Sequence, residues 1–175
     1  RVARIVTMDG DLDIAVAGQA VTLVLDREVD ISRGDVLVHP GATPEYSNQF
    51  QARLAWMAAE PAYHGRSYLL KIGSQVVPAS ITAIKFRTNV NSLEHTAATK
   101  LDLNEVGTVT IATDRPVAFD SYADNPRTGS FILIDRLDNA TLGAGVIDFG
   151  LRRAQNLAYQ SFDVTREVRA GALRQ

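Results

Sequence analysis

Gln49-Phe50-Gln51-Ala52-Arg53-Leu54-Ala55-Trp56-Met57 alternates residue by residue, and an extended chain places Phe50, Ala52, Leu54 and Trp56 on one face. A period of two is the mark of a strand with one buried side. The pattern recurs downstream between turn signals. After a loop over residues 61–65, Ser67–Ile72 and residues 75–87 read as two strands joined by Gly73-Ser74. Pro78 argues for an edge or a bulge in the second of them. Ile81, Ala83 and Lys85 alternate with Thr82, Ile84 and Phe86, which leaves its inward face open. Residues 89–104 are polar, with room for one short turn. Residues 106–112 form a strand with Val109 and Ile111 on one side, and Pro116-Val117-Ala118-Phe119 reads as a separate short strand. Residues 122–129 are a turn-rich loop. Residues 131–135 and 140–147 form a hairpin across Leu137-Asp138-Asn139, with Gly143 and Gly145 supplying a tight bend where a barrel closes. Strands at intervals of about 8–12 residues predict an all-β barrel or sandwich.

Working upstream, His39-Pro40-Gly41-Ala42-Thr43-Pro44 is a Pro/Gly joint and the natural boundary. Before it, Val2 to Val6 alternates, Met8-Asp9-Gly10-Asp11 and Gly18-Gln19 are turns, and Ala20-Val21-Thr22-Leu23-Val24-Leu25 is rich in strand formers. Ile31-Ser32-Arg33-Gly34-Asp35 turns the chain into a third strand, Val36-Leu37-Val38. Three such strands hold too little core to stand alone. Residues 1–40 are therefore expected to end a barrel begun upstream of Arg1, and the chain, which opens without Met, to be a piece of a longer polypeptide. Residues 41–150 are expected to be a complete six-stranded antiparallel barrel. After Gly150 the composition turns arginine-rich, with Arg152, Arg153, Arg166, Arg169 and Arg174. Asp163 suits a helix N-cap ahead of Val164 and Val168, so residues 151–175 are predicted to be a helical linker.

Composition narrows the function classes. The 175 residues are 46% hydrophobic and 22% charged with a net charge of −2, ordinary for a globular chain. That balance excludes a strongly basic nucleic-acid binder. With no cysteine there is no disulfide, thiolate metal site or Cys nucleophile. No apolar run reaches the roughly 18 residues of a membrane span, and the N-terminus has no signal-peptide core. The expected location is cytoplasmic.

A more particular resemblance emerges from the order of motifs. Ala3-Arg4-Ile5-Val6-Thr7-Met8-Asp9-Gly10-Asp11-Leu12 leads to Ala17-Gly18-Gln19-Ala20-Val21-Thr22-Leu23, then Asp30-Ile31-Ser32-Arg33-Gly34-Asp35-Val36-Leu37 and Trp56-Met57. Asn125-Pro126-Arg127-Thr128-Gly129 follows, then Phe131-Ile132-Leu133-Ile134-Asp135-Arg136-Leu137 and Gly143-Ala144-Gly145. Over residues 2–150 the chain resembles the second and third domains of the large, GTP-binding subunit of bacterial sulfate adenylyltransferase, a translation-factor GTPase built like elongation factor Tu. The Ile31–Leu37 stretch fits any such factor; Ile134-Asp135-Arg136-Leu137 after Asn125–Gly129 is more particular to the sulfate enzyme. Phe162-Asp163-Val164-Thr165-Arg166-Glu167-Val168-Arg169 resembles the linker of forms fused to an adenylylsulfate kinase.

The resemblance implies a subunit that hydrolyses GTP to drive formation of adenylylsulfate and pyrophosphate from ATP and sulfate, with adenylyl transfer on a separate small subunit. The implied partners are the chain's own GTPase domain, that small subunit and a fused kinase domain, with no nucleic acid and no membrane. GTP and magnesium would be held by the GTPase domain, because this sequence has no G-x-x-x-x-G-K-[ST] loop to cradle phosphates. The competing reading is a tRNA- or ribosome-binding barrel pair of a translation factor; three lysines in the whole chain weigh against it.

No catalytic, cofactor-binding or metal-ligating residue is assigned. Thr99-Lys100-Leu101-Asp102 mimics a guanine-recognition motif but lacks a phosphate loop before it. His39, His64 and His95 have no paired ligand spacing. No G-x-S-x-G elbow supports a serine triad. Asp9, Asp11 and Asp13 lack the closing Glu of a calcium loop. Trp56, Phe50, Leu54 and Phe86 read as barrel core rather than a binding platform, and the arginines of residues 152–169 as a solvated or interdomain face rather than a phosphate contact.

Overall fold

The structure is a computed structural model and describes residues 1–151. The expected helix over 151–175 therefore lies outside the described residues, apart from Leu151. Twelve strands and no helix make up the described residues.

The first three strands form a sheet of their own. β1 (Val2–Thr7) pairs antiparallel with β2 (Gly10–Leu12) and with β3 (Thr22–Leu25). The β1–β2 turn falls at Met8-Asp9, and a bidentate Arg4–Asp11 pair at 2.7 and 3.0 Å ties the hairpin. Val36-Leu37-Val38 is not a strand, contrary to expectation. No strand among the described residues pairs with it, and its side chains stay 45–55% exposed. Strand propensity alone does not create a strand where no partner offers its N–H and C=O groups.

The remaining strands build a closed barrel. They are β4 (Glu45–Trp56), β5 (Ala62–Tyr63), β6 (Ser67–Ile72), β7 (Gln75–Thr88), β8 (His95–Thr96), β9 (Lys100–Leu101), β10 (Val106–Phe119), β11 (Ser130–Ile134) and β12 (Thr141–Gly150). Six of them run in the order β10-β4-β12-β11-β6-β7, and β7 pairs back onto β10 to close the ring. Every pairing is antiparallel. The short β5–β9 pair lies beside the ring, and β8 extends β7.

Alternation on β4 puts Phe50, Ala52, Leu54 and Trp56 inside, all essentially without solvent exposure. Phe50 meets Phe119 at 5.3 Å and Phe131 at 5.8 Å between ring centroids, while Trp56 meets the Tyr68 ring edge-on at 5.7 Å. These separations and tilts are the favoured ones for aromatic pairs. The Trp56 indole N–H donates to the Glu60 carbonyl at 2.7 Å, so burial leaves its polar atom satisfied.

Two irregularities answer questions the sequence left open. β7 carries two bulges against β10, with Thr82 and Lys85 as the extra residues. Val77, Ala79 and Ile81 face in before them, and Ile84 joins the core after the first, so the inward parity switches within one strand. The β10 ladder stops at Ala79, the residue that follows Pro78, which fits a residue with no N–H to donate. The two strands expected over 106–112 and 116–119 are one strand, β10, which bulges against β4 between Ala112 and Val117. The buried Thr113 hydroxyl donates to the Arg115 carbonyl at 2.7 Å inside that bulge.

Gly143 and Gly145 serve close approach rather than a bend. A Cβ at Gly145 would lie 2.3 Å from the Phe131 ring, and one at Gly143 would lie 2.9 Å from the Ala55 carbonyl oxygen. The core needs these positions empty so that Phe131 and β4 can seat.

Candidate functional site

Polar chemistry on the barrel is concentrated at its ends and in one loop. At one end Arg66 lies between Glu60 and Asp135, at 2.9 Å from each, and its guanidinium stands 5.7 Å from the Tyr68 ring centroid. Asp135 also accepts the Leu137 backbone N–H at 2.7 Å, which fixes the β11–β12 turn. That N–H first, and Arg66 with it, holds the Asp135 carboxyl below the usual carboxylate range. Burial pushes the Tyr68 phenol above its ordinary value, and its hydroxyl has no hydrogen-bond partner of normal geometry among the described residues. Glu105 accepts from Arg87 and from the Asp102 backbone N–H, at 2.9 Å for the latter.

The loop from Asp120 to Gly129 is stapled from within. Asp120 accepts from the Thr128 hydroxyl at 2.6 Å and from the Asn125 side-chain amide at 3.1 Å. Gly129 passes so near Tyr122 that a Cβ there would meet the Tyr122 Cα at 2.5 Å. The Asn125–Gly129 motif is thus explained as loop architecture: Asn125 and Thr128 reach Asp120, the Arg127 backbone N–H donates to the Asn125 side chain at 3.3 Å, and glycine permits the crossing. This loop forms one rim of a shallow open depression of about 850 Å³ on the outer barrel wall, floored by Ala55, Ala144 and Val146 with Arg53, Lys71 and Arg127 around it. Arg53 is paired to Asp148 at 3.0 Å.

The residues weighed in the sequence are not brought together. Lys100 pairs with its neighbour Asp102 at 2.9 Å, and Leu101 between them is buried in the core. The guanine-motif likeness is therefore part of strand β9 and the barrel end, where a solvated loop was expected. His39 accepts the Gly41 backbone N–H at 3.1 Å, and His95 stacks on Phe86 at 4.0 Å; His39, His64 and His95 are all exposed. Asp11 is engaged by Arg4 across the first hairpin, and that guanidinium holds its carboxyl below the usual range. No group of three or more His, Cys, Asp or Glu side chains is placed to hold a metal ion among the described residues. Arg152, Arg153, Arg166 and Arg169 lie outside them. The Arg66–Asp135–Glu60 and Asp120 networks were not singled out in the sequence. Asp135 and Asp120 do fall in or beside the motif stretches, but nothing in their spacing predicts which partner they reach.

A closed six-stranded antiparallel barrel with this strand order defines a translation-factor-type β-barrel protein. The chain belongs to the GTP-eEF1A C-terminal domain-like family, matching it over residues 49–148. Its homologues are sulfate adenylyltransferase subunit 1 and the related bifunctional enzymes. The chain is 52% identical to the bifunctional enzyme NodQ of Rhizobium sp. (strain N33), over 97% of this chain and 26% of that one. It is 46% identical to the bifunctional enzyme CysN/CysC of Xylella fastidiosa, over 97% and 27%. With sulfate adenylyltransferase subunit 1 of Shewanella woodyi the identity is 51%, over 84% and 31%. The chain thus spans between 26% and 31% of these relatives' length. Among solved structures, sup35 complexed with GDP superposes with a TM-score of 0.74 at 19% identity, covering 86% of this chain and 38% of that one, a likeness of fold. No helix among the described residues is long and apolar enough to cross a membrane.

Proposed function

We propose that this chain is the non-catalytic barrel portion of a sulfate adenylyltransferase subunit 1, acting in the cytoplasm within an enzyme that couples GTP hydrolysis to formation of adenylylsulfate from ATP and sulfate. Residues 1–40 would be the end of the second-domain barrel, 41–150 the third-domain barrel, and 151–175 the linker to an adenylylsulfate kinase domain. GTP and magnesium would be bound by the GTPase domain, and adenylyl transfer would occur on the small subunit. The barrels would dock on both and move as rigid bodies when the GTPase switches.

The observation that carries this reading is the identity of about half the residues to enzymes of this class. The match to the two bifunctional enzymes runs over 97% of the chain, whereas that to the separate subunit 1 covers 84%, which supports the fused arrangement. The translation-factor alternative is not favoured, since the relatives at about half identity are NodQ and sulfate adenylyltransferase subunit 1. Two measurements test the reading. Calorimetric titration with GTP and ATP in magnesium buffer should show no saturable binding to this chain; micromolar GTP binding would contradict it. A parent enzyme assembled with its small subunit should lose adenylylsulfate formation when residues 1–150 are deleted, and retained activity would remove the barrels from the coupling.

A further inference from the structure

Gly34 is the one buried residue between positions 1 and 43, and all its neighbours from Ile31 to Leu37 are exposed. Burial at a single glycine means that one point of the segment is pressed against something. That something is Gln75, the first residue of β7, whose side-chain amide donates to the Gly34 carbonyl at 2.6 Å. A Cβ on Gly34 would lie 2.6 Å from the Gln75 Cγ, and the Gly34 φ of +107° is one that other residues rarely adopt.

Both halves of the contact are held by local backbone pairing. The Gly34 turn is closed by the Asp35 N–H to the Ser32 carbonyl at 3.1 Å and by the Ser32 N–H to the Asp35 carboxylate at 2.8 Å. Gln75 follows the tight Gly73-Ser74 turn and pairs with Ile72 across the β6–β7 hairpin. The Gln75 Oε1 atom is buried with no partner among the described residues, so the amide is tied to the turn through its N–H side alone. Between the two pieces runs the Pro/Gly joint of residues 39–44.

We propose that Gly34 and Gln75 form a latch that fixes the orientation of the β1–β3 sheet on the barrel, with residues 39–44 as the hinge about which the sheet turns when the latch opens. The turn presses backbone, not a side chain, onto the barrel, so glycine is required and any Cβ forces the latch apart. The latch concerns this chain's own geometry, so its failure would leave the sulfate adenylyltransferase reading untouched, and the converse holds.

The absence of cysteine makes the test clean. Met8→Cys and Leu137→Cys replace two fully solvent-facing residues, one on the β1–β2 turn and one on the β11–β12 turn, and both take spin labels. Pulsed electron resonance on the doubly labelled chain should give a single narrow distance peak. Gly34→Ala and, separately, Gln75→Ala should each lose that peak to a broad distribution, while Arg33→Ala, on the exposed side of the same turn, should keep it. Emission from Trp56 checks that the barrel remains folded in every variant. Should the alanine at position 34 disturb the N-terminal sheet itself, Gln75→Ala, which adds no strain, decides the matter. A peak unchanged by Gln75→Ala, or a broad distribution before any latch substitution, would overturn the proposal.

Discussion

β3 and β11 are close in composition and opposite in outcome. Thr22-Leu23-Val24-Leu25 leaves Leu23 and Val24 about 40% exposed, whereas in Ser130-Phe131-Ile132-Leu133-Ile134 both Phe131 and Leu133 are almost fully buried. Local preference for the extended state does not separate them. β11 has a neighbour on each edge and a ring of inward faces opposite it; β3 has β1 on one edge and, among the described residues, no strand paired on the other. Burial of apolar area, at about 25 cal/mol per Å², is therefore available to residues 45–150 and scarcely to residues 1–40. Closure, more than the residues of any one strand, makes the core.

The contrast predicts a gradient of mutational cost. Trp56→Ala, at a fully buried position where β4 ends, should cost about 3–5 kcal/mol in urea unfolding; a loss under about 1 kcal/mol would show that the ring does not depend on it. Gly145→Ala forces a methyl into the Phe131 ring and should cost about 1–3 kcal/mol through overpacking, measured the same way. An unchanged midpoint would mean that Phe131 moves aside freely.

Tyr68→Phe should be neutral or stabilising by up to about 1 kcal/mol at pH 7, because it deletes a buried hydroxyl that has no partner among the described residues. The same variant sharpens the pH dependence. Burial raises the folded-state phenol above its ordinary value of 10.0, so the unfolded chain loses its proton first as pH rises. The Tyr68 contribution should be intact below pH 10 and fall above it, and the alkaline fall in stability should be shallower in Tyr68→Phe; parallel alkaline profiles would deny Tyr68 that role. The smallest effect is expected in the open segment: Leu37→Ala, at a side chain 55% exposed, should change stability by no more than about 0.5 kcal/mol. A cost near that of a core leucine would mean that residues 36–38 pack.

Much of the barrel was legible because one-sided burial prints a period of two. The inward row of β4 and the β11–β12 hairpin follow directly from Phe50, Ala52, Leu54, Trp56 and from the turn at residues 137–139. What was not legible depends on partners distant in sequence. The parity switch on β7 arises from bulges against β10, and Thr82 and Lys85 carry no local sign of being the extra residues. Val36-Leu37-Val38 looks like a strand and is none, since pairing is a property of two segments. Gly143 and Gly145 announced a special backbone need, but only the positions of Phe131 and Ala55 show that the need is space. The family was readable from motif order; the Asp120 staple that gives Asn125–Gly129 its shape was not.

The central claim is that residues 45–150 form the cooperative unit, with the β1–β3 sheet attached to it rather than part of it. Residue-resolved native-state amide exchange tests this most directly. Hydrogen-bonded amides on β4, β10 and β11 should exchange only through global unfolding and share one denaturant dependence, while those of β1 and β3 should exchange far faster through local opening. Protection at β3 equal to that at β11 would contradict the account.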